Sequence, residues 1–418
     1  MTVGVVIRPN PTAANTVEDT LWQARTAYEC GVRHVWFGQR YDLDALMMSA
    51  VIAAAVPELH VGTAIVPINP RHPLLVASAA QTAQAAAHGK FSLGIGLGGN
   101  DLERKAFGLP PMKGIARLQE YLTVLHAILT DGTVDFDGEQ VTAHTQLSPV
   151  VAGGIPFPIY VAAMGPKALQ VAGQMADGTI PYLAGPNTIA ELIKPTIEKA
   201  AADAGRSAPR IIASVPVAVT TDRDAAQRAA QDSLNFYDQF PSSQQVLARE
   251  GLSHATDLAF IGTVSEVAAQ LQRYRDAGVT DLILSPFQTD PSVLRGVWEL
   301  AAGLTHGSFV ASISAWLQSL YNRSVSVSDT LITVVTSQHR PTIRRLHRGC
   351  EVPMERTEYA APTTEEATNL FGGRQGAPTT GTQPPRFLKR VYIDMSIILL
   401  ILSFLKGAPI SGPANHWR

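Results

Sequence analysis

Cysteine is nearly missing from this 418-residue chain, where only Cys30 and Cys350 occur. Two cysteines exclude a disulfide scaffold and a Cys-rich metal centre, and they suit a reducing cytoplasm, where the protein is expected. Charge is also sparse. Asp, Glu, Lys and Arg make up 16% of residues and the formal net charge is −2. That excludes a nucleic-acid binder driven by bulk charge. The opening stretch MTVGVVIRPNPTAANTVED has neither a basic n-region nor a long apolar h-region, so no secretion signal is expected. A metal-ligand cluster, a G-x-S-x-G elbow, a P-loop and a compact G-x-G-x-x-G after the first strand are all missing. What is abundant is apolar sequence. With 46% hydrophobic residues over this length, the chain can bury a large core, which excludes global disorder.

The averages conceal a break near Leu304. Residues 1–304 carry 21 Lys and Arg against 28 Asp and Glu, a net of −7, while residues 305–418 carry 12 against 7, a net of +5. The first part is rich in Ala, Gly and Val, and it alternates strand-like with helix-like runs. The predicted strands start at Val3, His34, Val61, Phe91, Ile159, Gly178, Ile211 and Val279. Each is followed by a helix-like segment, beginning at Thr16, Asp42, Pro73, Gly114, Pro166, Thr188, Arg223 and Pro291. Alternation of this kind implies a parallel sheet, and eight units imply a closed (β/α)8 barrel of the α/β class, with an open doubly wound sheet as the alternative. Thr16-x-x-Asp19 and Thr263-x-x-Glu266 have capping-box spacing, and Gly31 suits a helix C-terminus. Asp137-Gly138 predicts a hairpin in an insertion over residues 131–158. Residues 240–260 read as a loop-like excursion.

In such a barrel the reactive groups gather at the C-terminal ends of the strands. The second strand leads into Gly38-Gln39-Arg40-Tyr41-Asp42, and the third into Thr63-Ala64-Ile65-Val66-Pro67 and Asn69-Pro70-Arg71-His72-Pro73. The fourth ends in the glycine run from Gly94 to Gly99, which lets backbone approach a flat ligand or a phosphate. The fifth ends in Ala162-Ala163-Met164-Gly165-Pro166, where proline suits a first helical turn whose free N–H groups can hold a phosphate. Read as residues alone, each of these also fits an ordinary turn. His72 is a candidate proton donor because histidine titrates near neutral pH, and equally a structural cap before Pro73. Arg40 and Arg71 are candidate anion ligands or solvated surface cations.

In this order, the segments HVWFGQRYDLDAL (34–46), VGTAIVPINPRHP (61–73), GKFSLGIGLGGNDLERKAFGL (89–109), IYVAAMGPKALQVAGQMADGTI (159–180) and GTVSEVAAQLQRYRDAGVTDLILSP (262–286) resemble the luciferase-like flavin and deazaflavin oxidoreductases, most closely the branch that uses coenzyme F420. The resemblance covers residues 1–304 and then stops. It implies an oxidoreductase with a two-electron hydride carrier lying across the barrel mouth: F420, or FMN as in other members of the same barrel. It implies that Thr63, Ala64 and Ile65 form a bulge with a non-prolyl cis peptide at Ala64–Ile65, supporting one face of the ring. Leu97, Gly98 and Gly99 then lie near the ring and its chain. Ala162, Ala163, Met164 and Gly165 form the segment that holds the phosphate, and Gln39 faces the ring's polar edge. The family's F420-dependent glucose-6-phosphate dehydrogenases have Asp-His after the second strand, where this chain has Gln39-Arg40. Their catalytic histidine is therefore missing, and so is their acidic residue in the fourth loop. The expected reaction is then reduction of a small unsaturated or carbonyl substrate, with His72 and Arg40 as candidate catalytic residues. Two alternatives remain open, an FMN-dependent monooxygenase and a non-catalytic cofactor-binding protein. The resemblance also allows a homodimer. No nucleic-acid partner, membrane partner or metal is expected.

Residues 305–418 form an extension that resembles nothing known to us. It contains a basic run from His339 to Arg348 and a mainly apolar stretch from Val391 to Leu405, bracketed by Lys389-Arg390 and Lys406. A membrane span needs about 20 apolar residues, and this stretch is shorter and includes Asp394. A buried or interfacial helix, or a tail left by a shifted frame or a read-through stop, are the competing readings.

Overall fold

The computed structural model describes residues 1–98 and 101–306. Gly99, named above as a cofactor ligand, and the extension with its 391–405 stretch lie outside the described residues. Eight strands run parallel around one barrel: β1 (Thr2–Val6), β2 (His34–Phe37), β3 (His60–Thr63), β4 (Phe91–Gly96), β5 (Ile159–Ala162), β6 (Gly178–Thr179), β7 (Arg210–Val219) and β8 (Asp281–Pro286). Each pairs with the next. The sheet closes where β8 returns to β1, with Thr2 opposite Asp281 and Val5 opposite Leu284. The expected (β/α)8 barrel is therefore the observed fold. Two short strands, Val66–Pro67 and Phe260–Gly262, pair with β4 and β7 at the rim.

The strands are short and apolar because both of their faces are covered. All six residues of β4 (FSLGIG) are buried, as expected for a parallel strand between barrel interior and helix layer. The outer layer consists of α1 (Thr16–Glu29), α2 (Ala45–Ala55), α3 (Pro73–Ala86), α4 (Gly114–Asp131), α5 (Pro166–Met175), α6 (Lys194–Asp203), α7 (Arg223–Leu234) and α8 (Pro291–His306), together with the helix Val264–Asp276 between β7 and β8. In α4, Leu118, Tyr121, Leu122, Leu125 and Ile128 recur at three- and four-residue intervals, and all are buried. A π-turn, Ile189–Ile193, precedes α6. Pro195, which has no N–H to donate, lies just beyond it. Among the described residues no helix is long and apolar enough to cross a membrane.

Two local expectations need correction. Helix α1 is capped by Asn15, whose Oδ1 accepts from Val17 N at 3.0 Å and Glu18 N at 3.2 Å, and not by a Thr16–Asp19 box. The Asp19 carboxylate instead holds Asn10 N and Gln23 Nε2, each at 2.8 Å, fixing the loop that leaves β1. The 240–260 excursion is not a plain loop. It contains the helix Pro241–Glu250 and the 3-10 turn Ala255–Leu258. Its amphipathic signal is weak, but proline opens it and residues of good helix propensity fill it. The Thr263–Glu266 capping box forms as expected, with Thr263 N donating to Glu266 Oε2 at 2.8 Å. The Asp137-Gly138 hairpin forms between Asp135–Asp137 and Thr142–His144.

Candidate active site

A cavity of about 790 Å³ opens over the C-terminal ends of β4, β5 and β6. Its walls are Leu97 from the β4 loop, Ala162 to Ala168 from the end of β5 into α5, Ile180 to Tyr182 beyond β6, Ile115, Tyr237 from the 3-10 turn Asn235–Gln239, and Phe240, Ser242, Ser243 and Gln245 from the excursion. Most of these are apolar, so a flat organic ring fits the walls better than a hydrated ion does. Thr179, fully buried below, donates from Oγ1 to Val161 O at 2.8 Å and Ala163 O at 3.2 Å, which pins the end of β5.

The strand-three segment is fixed from both sides. Thr63 Oγ1 donates to Gly94 O and accepts from Gly94 N, each at 2.8 Å. The β4 backbone comes so close that a methyl group on Gly94 would lie 2.0 Å from Thr63 O. Beyond Thr63 the chain leaves the ladder and rejoins it at Val66. Between them, the Ala64–Ile65 peptide bond is cis. Ala64 N donates to Phe37 O at 3.0 Å and Gln39 N to Ile65 O at 3.1 Å, so this turn is bonded to β2 and its loop. Ala64 and Ile65 pack on the same apolar cluster as Ile180, at the base of the cavity.

The loop after β2 is internally satisfied. Gln39 donates from Nε2 to Arg40 O at 2.8 Å and Leu43 O at 3.3 Å, and its Oε1 accepts from Ala45 N at 3.0 Å and Arg71 Nη2 at 3.2 Å. Its amide thus has every donor and acceptor engaged within the protein. Arg40 makes a two-point ion pair with Asp42, both bonds 2.8 Å. Arg71 pairs with Asp44. His72 caps α3: Nδ1 accepts from Leu74 N at 3.3 Å, and Nε2 lies 2.8 Å from Thr142 O of the hairpin. Both ring nitrogens of His72 are thus engaged within the protein.

At the other end, α5 begins at Gly165 with no side chain capping it, and Pro166 follows. Nothing lies within 4 Å of where a Cβ on Gly165 would sit. The open backbone N–H groups, the helix dipole and the nearby Lys167 suit an anion. Gly98 lies near the same rim with φ +59°, and a Cβ there would lie 2.5 Å from Glu103 Oε2. Leu97, Ala162, Ala163, Met164 and Gly165 line this one cavity. Gln39, Arg40 and His72 lie in the loops beyond β2 and β3 and are not on its wall.

The sequence reading passed over a second group at the barrel mouth. Arg8 follows β1, Tyr182 follows β6, Tyr237 lies in the 3-10 turn Asn235–Gln239 and Ser285 lies near the end of β8. The tyrosine rings meet edge to face at 5.4 Å, and the Ser285 side chain lies beside the Tyr182 hydroxyl. Burial pushes both phenols above their usual value, and the Arg8 guanidinium works against that rise. Burial in turn pulls Arg8 below its own usual value, the two tyrosines oppose that shift, and Arg40 adds to it. The signal available beforehand was an arginine closing the apolar run VGVVIR at a strand's C-terminal end.

A family model described as luciferase-like monooxygenase matches residues 1–281. The 5,10-methylenetetrahydromethanopterin reductase of Archaeoglobus fulgidus is 29% identical over 237 residues, covering 56% of this chain and 69% of that protein. The F420-dependent glucose-6-phosphate dehydrogenase of Kineococcus radiotolerans is 26% identical over 287 residues, covering 62% and 83%. Among solved structures, the coenzyme F420-dependent tetrahydromethanopterin reductase of Methanopyrus kandleri superposes with a TM-score of 0.62 at 22% identity, covering 72% of this chain and 97% of that one. That likeness is one of fold.

Proposed function

Because the chain belongs to the luciferase-like monooxygenase family, we propose that residues 1–304 form an F420-dependent oxidoreductase that moves a hydride between the deazaflavin and a small organic molecule with a carbonyl or activated double bond. The observation that carries this reading is the apolar cavity that runs onto the uncapped start of α5, a shape suited to a flat ring with an anionic chain. The F420-dependent relatives reported above support the choice of cofactor. When bound, F420 supplies two-electron hydride chemistry, and the protein supplies placement and a dry site. The first-turn N–H groups of α5, with Lys167, hold the phosphate. Leu97, Ala162, Ala163 and Met164 exclude water from the ring, and the Thr63–Ile65 bulge backs its other face. Gln39 keeps the β2 loop in place beside that bulge. Arg40 and His72 are the groups proposed to assist the reaction, His72 handling the proton by leaving Thr142 O and Arg40, held protonated above its usual value by its pair with Asp42, offsetting negative charge.

Fluorescence titration of the full chain with F420, and in parallel with FMN, tests the reading. The expected result is F420 binding at least about tenfold tighter than FMN, a difference of about 1.4 kcal/mol. Preference for FMN would overturn it in favour of an FMN-dependent monooxygenase. Binding of neither by a folded chain would leave the barrel without this function.

A further inference from the structure

Arg8 has no carboxylate partner and no hydrogen-bond acceptor for its guanidinium among the described residues, although it is half-buried. The other arginines of the mouth differ: Arg40 is held by Asp42 and Arg71 by Asp44. A half-buried cation without an acceptor is costly unless a ligand or water completes it. Its setting is built from the ends of β1, β6 and β8 and the 3-10 turn Asn235–Gln239; Arg8 is beside the cavity and not on its wall, within electrostatic reach of both tyrosines. Tyr182 and Tyr237 meet at 5.4 Å and both line the cavity, and Ser285 lies beside the Tyr182 hydroxyl.

We propose that Arg8, with the hydroxyls of Tyr182 and Tyr237 beside it, binds the carboxylate of the substrate, so that the substrate is an organic monoanion whose apolar body lies in the cavity. The proposal rests on the oxidoreductase reading and deepens it by naming a substrate class. One planar guanidinium presents a fork that matches a carboxylate in charge and shape. The phenols stay protonated because burial disfavours their ionised form, so they are available as donors. Phe240 and Met164 supply the apolar wall against which a hydrocarbon body packs. Arg40, close enough to lower Arg8 electrostatically, raises the local positive potential without being free to bind, since Asp42 occupies its fork.

Isothermal titration of the full chain with benzoate and with its neutral isostere benzamide, each with and without saturating F420, tests this without needing turnover. Benzoate is expected to bind at least about tenfold tighter than benzamide, as for one charge-assisted contact. Arg8→Met is expected to abolish that preference, and Arg8→Lys to retain part of it because the charge remains. F420 affinity is expected to be unchanged in both variants, and benzoate to bind equally well with F420 present. Equal binding of benzoate and benzamide, or a benzoate preference that survives Arg8→Met, overturns the proposal. Mutual exclusion of benzoate and F420 also overturns it and assigns Arg8 to the cofactor. Loss of F420 binding by the wild-type chain, with the benzoate preference intact, would sink the cofactor reading alone. If Arg8→Met fails to fold, as judged by circular dichroism, the comparison of Arg8→Lys with the wild-type chain decides.

Discussion

At Gly94 the backbone of β4 lies so close to Thr63 O that even one methyl group has no place, and the obstacle is backbone that does not yield. Gly94→Ala is expected to destabilise the fold by about 3 kcal/mol or more, read as a lower urea midpoint with an unchanged slope. Thr63→Val keeps the shape but removes the partner of both Gly94 backbone groups, at an expected cost of about 1–3 kcal/mol. His72 poses a different question, because a cap and a proton donor predict different losses. His72→Ala is expected to cost about 1 kcal/mol of stability through the lost cap and, because the imidazole is proposed to handle the proton, to lower turnover by about 10²-fold or more. Turnover within about twofold of the wild-type chain would leave His72 a cap and overturn its proposed proton role.

Among the elements, the helix Pro241–Glu250 decides whether the excursion acts as a cover. Its last residue reaches across to the turn Pro186–Thr188, where Glu250 Oε1 accepts from Thr188 N at 2.6 Å and Thr188 Oγ1 at 2.7 Å, and Oε2 from Asn187 N at 3.3 Å. One carboxylate thus caps one helix from the end of another and ties Tyr237 and Phe240 down over the cavity. Glu250→Ala is expected to lower stability by about 1–2 kcal/mol and to speed hydrogen exchange over residues 235–250 selectively. Helix α5 carries the complementary expectation. Lys167→Ala should weaken F420 binding by about five- to tenfold, more at low salt than at high, without altering benzoate binding.

For the whole molecule, the seam at the barrel's lower end couples stability to pH. Asp281, almost fully buried, accepts from Arg210 Nε at 2.9 Å, Arg210 Nη2 at 2.5 Å, Thr280 Oγ1 at 2.7 Å and Thr2 N at 3.3 Å, joining β7, β8 and β1. Burial alone would raise its carboxyl, but these donors hold it below the usual range. Beside it, the rings of His34 and His60 stack at 4.9 Å. Burial, then the neighbouring His60, brings His34 from 6.5 down to about 4, and burial with Arg210 and Lys90 lowers His60 as well. A histidine lowered in the folded state contributes its full stability above the ordinary value. It loses that contribution as pH falls towards the folded value, because the unfolded chain takes up the proton first. Stability is therefore expected to decline from pH 6.5 to about 4, and again below the Asp281 range as that carboxylate protonates. His34→Phe should flatten the first decline in urea titrations taken across that pH range. Asp281→Asn should cost about 2 kcal/mol near neutral pH, less than for a fully buried pair because Arg210 is half exposed.

The strand and helix periods of residues 1–304 are local properties, so the eight units and their barrel closure were legible from the amino-acid order alone. So were the Thr263–Glu266 cap, the Asp137-Gly138 hairpin and, through resemblance, the cis bond at Ala64–Ile65. The cavity segment from Ala162 to Gly165 was also legible, because strand-to-helix turns fix their own geometry within a few residues. What tertiary structure alone decided is which side chains are already engaged. Gln39 was expected at the ring's polar edge and His72 was open between proton donor and cap, yet partners up to 70 residues away in the chain occupy both. Arg8, Tyr182, Tyr237 and Ser285 looked unrelated, since up to 277 positions separate them in the sequence. Closing the barrel brings three strand ends and the turn Asn235–Gln239 to one rim, and pairing across a closed sheet depends on contacts that no local pattern records.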